Sequence, residues 1–129
     1  MELQKLGKID KHRGYEIVWA NNEHYCGKIL VFEKAGSKTT LSLSKERKRS
    51  WFVQHGRFKL IFIDISTGKG GETIIEEGKT VDIAEMSPHS LEALTPNSMI
   101  FEVGMPDDVK DNFKLSPDDV LQKSAEELK

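Results

Sequence analysis

Two serines and an arginine follow one another closely in the stretch LSLSKERKRSWFVQHG, at positions 41–56, where the sequence could do chemistry. Ser42 and Ser44 are two residues apart, and on a β-strand that spacing points both hydroxyls to one side. Arg49 follows after a charged turn, and a guanidinium can hold a carboxylate or a phosphate with two parallel hydrogen bonds. The stretch therefore favours an anion site in which hydroxyls supplement an arginine.

The other reactive residue types show no clustered spacing. The histidines at positions 12, 24, 55 and 89 do not form a pattern typical of a metal or catalytic cluster, and we expect the first three to lie at the surface. Cys26 lies inside an apolar run and is expected to be a buried hydrophobic residue. Trp51 shares the strand face of Arg49 and could line the same site, whereas Trp19 is expected to pack in the core.

The composition of the 129-residue chain fits one soluble domain. No apolar run approaches the roughly 20 residues that a membrane-spanning helix needs, so we expect no membrane association. A single cysteine and an N-terminus without an apolar signal core favour a reducing cytoplasm. The formal net charge of -2 gives no overall attraction for nucleic acid, and the basic stretch KERKR is expected to be a solvated turn.

Short runs rich in β-branched and aromatic residues alternate with turn residues along most of the chain, which predicts an all-β fold. About eight or nine strands at this spacing favour a sandwich or a barrel. Residues 49–53 and 58–64 are predicted to pair as a hairpin around Gly56, because glycine adopts the positive φ that such a turn needs. A further turn is predicted at Gly78 and Lys79.

The spacing of glycines around the two serines is typical of one superfamily. Gly36 precedes Ser42 by five intervening residues, and Gly56 follows Arg49 after six. This arrangement resembles the first motif of the cupin superfamily, in which a glycine precedes a His-x-His pair, a glutamate and a second glycine. Ser42, Ser44 and Arg49 occupy the positions of the two histidines and the glutamate.

A second resemblance to the cupins lies between Gly78 and Ala93, where His89 takes the place of the family's fourth ligand, a histidine. Ala84 and Met86 stand where that motif usually has proline and glycine. More locally, the runs GYEIVWANN, YCGKILVF and SWFVQHG resemble the cupin domain of type II mannose-6-phosphate isomerase and mannose-1-phosphate guanylyltransferase proteins. The resemblance covers about residues 14–103.

This resemblance implies an all-β fold, a cupin-type jelly-roll β-barrel with a pocket at the strand ends. We expect an N-terminal segment over residues 1–13, the cupin barrel over 14–105 and a C-terminal extension over 106–129. Within the extension, Ser116 suits an N-cap and Pro117 the first helical position, so we predict a short helix, with a solvated tail as the alternative. Many small cupins pair through sheet edges, and we therefore also predict a homodimer.

At the four ligand positions implied by the resemblance, only His89 is a metal-binding residue type. Hydroxyls are poor ligands, and Arg49 places a permanent cation where the family's carboxylate would neutralise the metal. We therefore predict no metal and no other cofactor. The pocket is expected to bind a small anionic or sugar-like ligand through Ser42, Ser44, Arg49, Trp51 and His89.

Two other functions stay open on the sequence. His89 could act as the catalytic acid or base of a sugar or sugar-phosphate isomerase or epimerase, since a pKa of about 6.5 suits proton transfer. Alternatively, Arg49 pairs with an acidic neighbour such as Glu46 or Glu102, the pocket is vestigial, and the barrel has a structural or interaction role. We favour ligand binding without established catalysis.

Overall fold

The computed structural model describes residues 7–115, and within them the chain forms two antiparallel sheets around an apolar interior. This confirms the predicted all-β jelly roll. The predicted helix at Ser116 and Pro117 lies outside the described residues.

The first sheet has six strands and supplies most of the inward-facing charged residues described below. Its inward positions alternate with outward ones along each strand, as the period of a β-strand requires. In spatial order, its strands are β1 (Gly7–Lys11), β2 (Gly14–Asn21), β3 (Cys26–Phe32), β10 (Ser98–Gly104), β5 (Arg49–His55) and β8 (Thr80–Ile83).

The second sheet has five strands and closes the other side of the core. A three-residue 3-10 helix (Val109–Asp111) leads into its last strand, and nowhere in residues 7–115 is a helix long and apolar enough to cross a membrane. In spatial order, its strands are β11 (Phe113–Lys114), β4 (Ser42–Leu43), β9 (His89–Ala93), β6 (Arg57–Ile63) and β7 (Gly70–Glu76).

The core lies between the sheets and draws on both. Phe32 of β3 and Phe58 of β6 meet edge to face with ring centroids 5.1 Å apart, and both side chains are fully buried. Such an aromatic pair ties one sheet to the other. The buried apolar cluster consists of Leu30, Phe32, Trp51, Val53, Phe58, Leu60, Ile75, Ile83, Leu91, Ala93 and Ile100.

The predicted hairpin between β5 and β6 is wrong, because these strands belong to different sheets. β5 pairs with β10 and β8, whereas β6 pairs with β7 and β9. Each strand buries its own apolar side against the common core, and this requires them to face each other across it. Gly56, with φ 86°, makes the corner between the sheets, and Gly78, with φ 81°, makes the predicted turn between β7 and β8.

The sheets extend beyond the predicted barrel boundaries of residues 14–105. β1 adds an edge strand from the predicted N-terminal segment, and β11 adds one from the predicted C-terminal extension. β1 is exposed along its whole length and β11 is only two residues long, so neither carries the alternating apolar pattern by which strands are recognised.

Replacement of Gly56 by alanine is expected to destabilise the fold by more than backbone strain alone. A left-handed backbone costs an L residue about 1–2 kcal/mol. A Cβ at Gly56 would also lie 2.2 Å from the Ser98 hydroxyl and 2.7 Å from that of Thr95. Gly36→Ala is the matched control, because Gly36 has φ 88° but nothing within 4 Å of an added Cβ.

Urea unfolding of the two variants measures this difference. We expect the free energy of unfolding to fall more in Gly56→Ala than in Gly36→Ala. The difference, roughly 1–3 kcal/mol, is the cost of the steric conflict. Equal losses in the two variants would contradict the tight corner.

Candidate functional site

A cavity of about 320 Å³ lies at one end of the core, and inward-facing residues of both sheets line it. Arg49 and Trp51 share one face of their strand, and the motif spacing assigns His89 to the same site. All three side chains do face the interior between the sheets. The sequence therefore identified residues that do come together. All five predicted ligand-binding residues line this cavity, namely Ser42, Ser44, Arg49, Trp51 and His89.

The short strand β4 brings the serines next to the histidine. Ser42 is the direct partner of His89 in the antiparallel pairing of β4 with β9. Ser44 follows two residues later and is buried, and its carbonyl accepts the backbone N–H of Met86 at 2.7 Å. Two hydroxyls and an imidazole thus lie along one wall of the cavity.

Glu102 of β10 is the buried carboxylate around which the opposite wall is arranged. Its Oε2 accepts a hydrogen bond from Nη2 of Arg47 at 3.0 Å, and its Oε1 accepts one from the indole of Trp51 at 2.8 Å. Burial alone would raise the pKa of Glu102, but the guanidinium groups of Arg47 and Arg49 outweigh it and lower the pKa. Glu102 is therefore ionised, with both oxygens engaged.

Arg47 is the partner of Glu102 that the sequence did not identify. The stretch KERKR was expected to be a solvated turn, yet Arg47 is only 3% exposed and its Nε also donates to the carbonyl of Met105 at 3.0 Å. The carboxylate of Asp111 accepts the backbone N–H groups of the turn, at positions 45–47, over 2.7–3.2 Å. This carboxylate holds the turn in the conformation that directs Arg47 inward.

A second group of buried charges lines the cavity beside β2 and β3. Glu16 accepts a hydrogen bond from Nη2 of Arg13 at 2.9 Å and lies 3.6 Å from Nζ of Lys28. Lys28 also donates to Asp107, and although burial opposes it, this contact together with Glu102 and Glu16 raises the pKa of Lys28. Lys28 and Arg13 are thus both charged inside the barrel.

The sequence held a signal for the burial of Lys28, which was missed, and of Glu102, which was considered only as a partner of Arg49. Lys28 and Glu102 each interrupt an apolar run at a position that shares its strand face with core residues, Leu30 and Ile100. A charged residue at inward parity is expected to be paired, because burying an unpaired charge is costly. Asp107 and Asp111 follow β10, and nothing in the local sequence predicts their partners.

His89 is neutral in this arrangement. Arginine has only donors, so Nε2 of His89 accepts the 3.1 Å hydrogen bond from Nη2 of Arg49, and Nδ1 donates to the carbonyl of Ser87 at 2.8 Å. Burial and the neighbouring charge of Arg49 lower the pKa of His89 to about 4. The imidazole therefore holds Arg49 in place as an acceptor.

Arg49 is held at the cavity wall but keeps donor capacity. It begins β5 opposite Gly104, where a Cβ would lie 2.7 Å from that of Arg49, so glycine is required for this close approach. Its Nε forms the ion pair with Glu102 that one alternative predicted, but at 4.0 Å from Oε1 it is beyond hydrogen-bond distance. Four buried side-chain atoms among residues 7–115 lack a hydrogen-bond partner, namely Nε of Arg49, Nη1 of Arg13, Nη1 of Arg47 and Oε2 of Glu85.

The described residues give the cavity an excess of positive charge. Five cationic residues line it against three carboxylates, and two of the five, Lys11 and Lys114, are exposed to solvent. Burial lowers the pKa of Arg49, although Glu102 opposes the effect. The cations are Lys11, Arg13, Lys28, Arg49 and Lys114, and the carboxylates are Glu16, Glu102 and Asp107.

The donor set at the cupin ligand positions does not fit a metal ion. Two of the positions hold hydroxyls and a third holds the guanidinium of Arg49, which donates to the imidazole nitrogen that a metal would need. In the part of the chain that the structure describes, no three His, Cys, Asp or Glu side chains converge as a metal site.

The remaining candidates from the sequence lie away from the centre of the site. His24 and His55 are exposed and pair with Glu23 and Glu77, and His12 is exposed at the cavity rim, where its Nε2 meets the carbonyl of Lys38. Cys26 is fully buried, as expected. The core position predicted for Trp19 is wrong, because its side chain lies on the outer face of the first sheet and is 55% exposed.

Comparison with known proteins defines the class of fold. No protein-family model matches the chain, and no curated protein matches it in sequence. Among solved structures, oxalate decarboxylase from Bacillus subtilis matches with a TM-score of 0.75 at 16% identity over 85% of this chain. KdgF from a Halomonas species matches with a TM-score of 0.68 at 14% identity over 83% of this chain and 90% of its own.

The capsular polysaccharide assembling protein CapF from Staphylococcus aureus also matches, with a TM-score of 0.75 at 15% identity over 88% of this chain. This chain spans only 30% of the oxalate decarboxylase and 33% of CapF. At these identities the likeness is one of fold, and the fold is the cupin-type jelly roll that the sequence predicted. The resemblance to the type II mannose-6-phosphate isomerase domain stays a prediction.

Replacement of Glu102 by glutamine is expected to destabilise the fold by about 3–5 kcal/mol, because the buried charge of Arg47 then lacks its counter-ion. Glu72→Gln is the control, since the Glu72 side chain is 65% exposed and lies 3.9 Å from Lys59. A surface pair of this kind contributes at most about 1 kcal/mol. Chemical denaturation measures both, and equal small losses would show that Glu102 does not hold the cluster together.

His89 is expected to make the fold sensitive to mild acid. Because the pKa of His89 is lowered from 6.5 to about 4, between these pH values the unfolded chain binds a proton at His89 and the folded chain does not. The stability that the neutral imidazole confers is fully present above pH 6.5. About 3 kcal/mol of the free energy of unfolding is lost as the pH falls towards 4.

Unfolding free energies measured across this pH interval test the neutral imidazole. His89→Gln is expected to flatten the pH dependence, since glutamine keeps an acceptor for Arg49 but does not titrate. His24→Gln, at an exposed position, is expected to leave the dependence as it is in the unaltered chain. An unchanged slope in His89→Gln would argue against a neutral buried His89.

Proposed function

We propose that this chain binds a small dianion, a phosphate monoester or a dicarboxylate, in the cavity between its sheets. The observation that carries the proposal is that five cationic residues line the cavity against three carboxylates, with Lys11 and Lys114 exposed and Arg49 held beside His89. A ligand of opposite charge is attracted to such a net positive site. Guanidinium groups also match the geometry of carboxylates and phosphates.

The contacts of Arg49 favour ligand binding over a purely structural ion pair. Glu102 already accepts hydrogen bonds from Arg47 and Trp51, and Arg49 approaches it only to 4.0 Å. The imidazole of His89 orients the guanidinium from the other side. Arg49 is therefore fixed in position, and its Nε has no hydrogen-bond acceptor among residues 7–115.

The remaining lining supports a ligand with hydroxyl groups. Ser42 and Ser44 offer donors and acceptors on one wall, and the ring of Trp51 lies in the same cavity. A volume of about 320 Å³ is at the lower end of typical small-ligand sites. A sugar phosphate meets both requirements, which agrees with the predicted resemblance to the mannose-6-phosphate isomerase domain.

We propose that binding requires no metal, because Arg49 supplies the positive charge at that position. The isomerase or epimerase alternative needs a free acid or base, and both nitrogens of His89 are engaged with Arg49 and Ser87. A vestigial barrel would have its pocket filled by its own side chains, and the open cavity does not favour this alternative. A cytoplasmic location stays a prediction from the single cysteine.

Isothermal titration calorimetry of the metal-stripped chain tests the proposal. The probes are mannose 6-phosphate, inorganic phosphate and malonate as dianions, with acetate as the monoanion and mannose as the neutral sugar. We expect binding of at least one dianion, weaker binding of acetate, and an affinity loss of about tenfold or more in Arg49→Gln. Arg57→Gln is the control, because the Arg57 side chain is 53% exposed and pairs with Glu76 on the surface.

Two results would overturn parts of this proposal. If no dianion binds, or if Arg49→Gln binds as tightly as the unaltered chain, the cavity is not the anion site. Zinc, manganese, iron and nickel are titrated in parallel, and metal binding that disappears in His89→Gln would refute the metal-free assignment. Product analysis after incubation with mannose 6-phosphate checks the isomerase alternative separately.

A further inference from the structure

The outer face of the first sheet carries an apolar surface that the binding cavity does not explain. Register places Ile17, Ile29, Phe101 and Phe52 in one row across four adjacent strands, β2, β3, β10 and β5. Phe52 and Phe101 contact each other, with ring centroids 6.4 Å apart, yet are 40% and 42% exposed. Val103 lies beside this row and is 55% exposed.

Trp19 extends the same surface and is fixed on it. A Cβ at Gly27 would lie 2.3 Å from the indole ring of Trp19, so the glycine allows the ring to lie flat against the sheet. The indole nevertheless remains 55% exposed. We name this surface the apolar face, formed by Ile17, Trp19, Ile29, Phe52, Phe101 and Val103.

We propose that the apolar face binds a second copy of this chain. Its three aromatic side chains, each of about 200 Å² and about half exposed, leave roughly 300 Å² of apolar surface. Val103 and the partly exposed isoleucines bring this to on the order of 500 Å², near the largest patch on a typical monomer. A stable dimer buries about 800 Å² per partner, of which about 65% is apolar, and the face supplies this amount.

The position of the row on the sheet favours a copy of the same chain over a different partner. A two-fold axis parallel to the strands, between the central strands β3 and β10, would set the aromatic row of one copy against that of the other. The same axis sets β1 of each copy opposite β8 of the other. In register, this axis sets Ile17 of one copy opposite Phe52 of the other and Ile29 opposite Phe101, so the row is complementary to itself.

This proposal changes the surface of the predicted homodimer. The sequence favoured pairing through sheet edges, whereas the exposed aromatic row lies on the face of the sheet, on the side away from the cavity. Dimer formation and anion binding therefore use separate residues, and each proposal can fail without the other.

Sedimentation velocity of the full chain across a dilution series tests the proposed dimer. We expect dimers for the unaltered chain and monomers for Phe101→Glu and Val103→Glu, because a carboxylate at the centre of the face would be buried unpaired. Ile74→Glu is the control and is expected to stay dimeric, since Ile74 is 44% exposed on the other sheet. Dilution of the dimer is expected to shift the fluorescence of Trp19 to the red.

A monomeric unaltered chain at every concentration would overturn the proposal, as would a dimer that persists in both glutamate variants. Circular dichroism and the emission of buried Trp51 establish that each variant is folded. If Phe101→Glu does not fold, the more exposed Val103→Glu decides the outcome. Calorimetry with the same anions is expected to give equal affinities in the monomeric variant and the unaltered chain.

Discussion

The carboxylate of Glu102 fixes how the first sheet is assembled, because it lies at the inner side of a central strand among cations from three other segments. In register, it is the direct neighbour of Lys28 on β3 and of Trp51 on β5, and Arg47 reaches it from the preceding turn. A slip of one residue would turn Glu102 outward and place Phe101 or Val103 against Arg47. Electrostatics and hydrophobic burial therefore specify the same pairing of β10.

The interior charges are not explained by stability alone. Arg13, Glu16, Lys28 and Asp107 form a chain of paired groups, and apolar residues of similar size would often hold a barrel together at least as well. The cost of burying them is reduced by pairing, and Lys11 at the exposed side of the cavity also lies 4.0 Å from Glu16. Local departures from the stability optimum of this kind are expected where a site must recognise something.

Much of the fold could be predicted from alternation and glycine spacing. Of the five predicted site residues, four followed from two motifs and Trp51 from strand parity. Met86 illustrates what a motif preserves: it has φ 58°, so the chain keeps a left-handed backbone where the cupin pattern has glycine. The corner at Gly56 was misjudged because a turn residue does not reveal which sheet the next strand joins. Arg47 escaped prediction because its burial depends on Asp111, which is distant in sequence.

The position of β10 near the end of the described chain has a consequence during synthesis. β3, at residues 26–32, and β5, at residues 49–55, are made long before β10, at residues 98–104, which lies between them and carries Glu102. A nascent chain that ends before β10 contains Lys28, Arg47 and Arg49 without this counter-ion. Hydration of these three side chains is then more favourable than their burial. Water can therefore leave the interior of the barrel only after β10 has emerged from the ribosome. This makes the folding of the chain a late and concerted step.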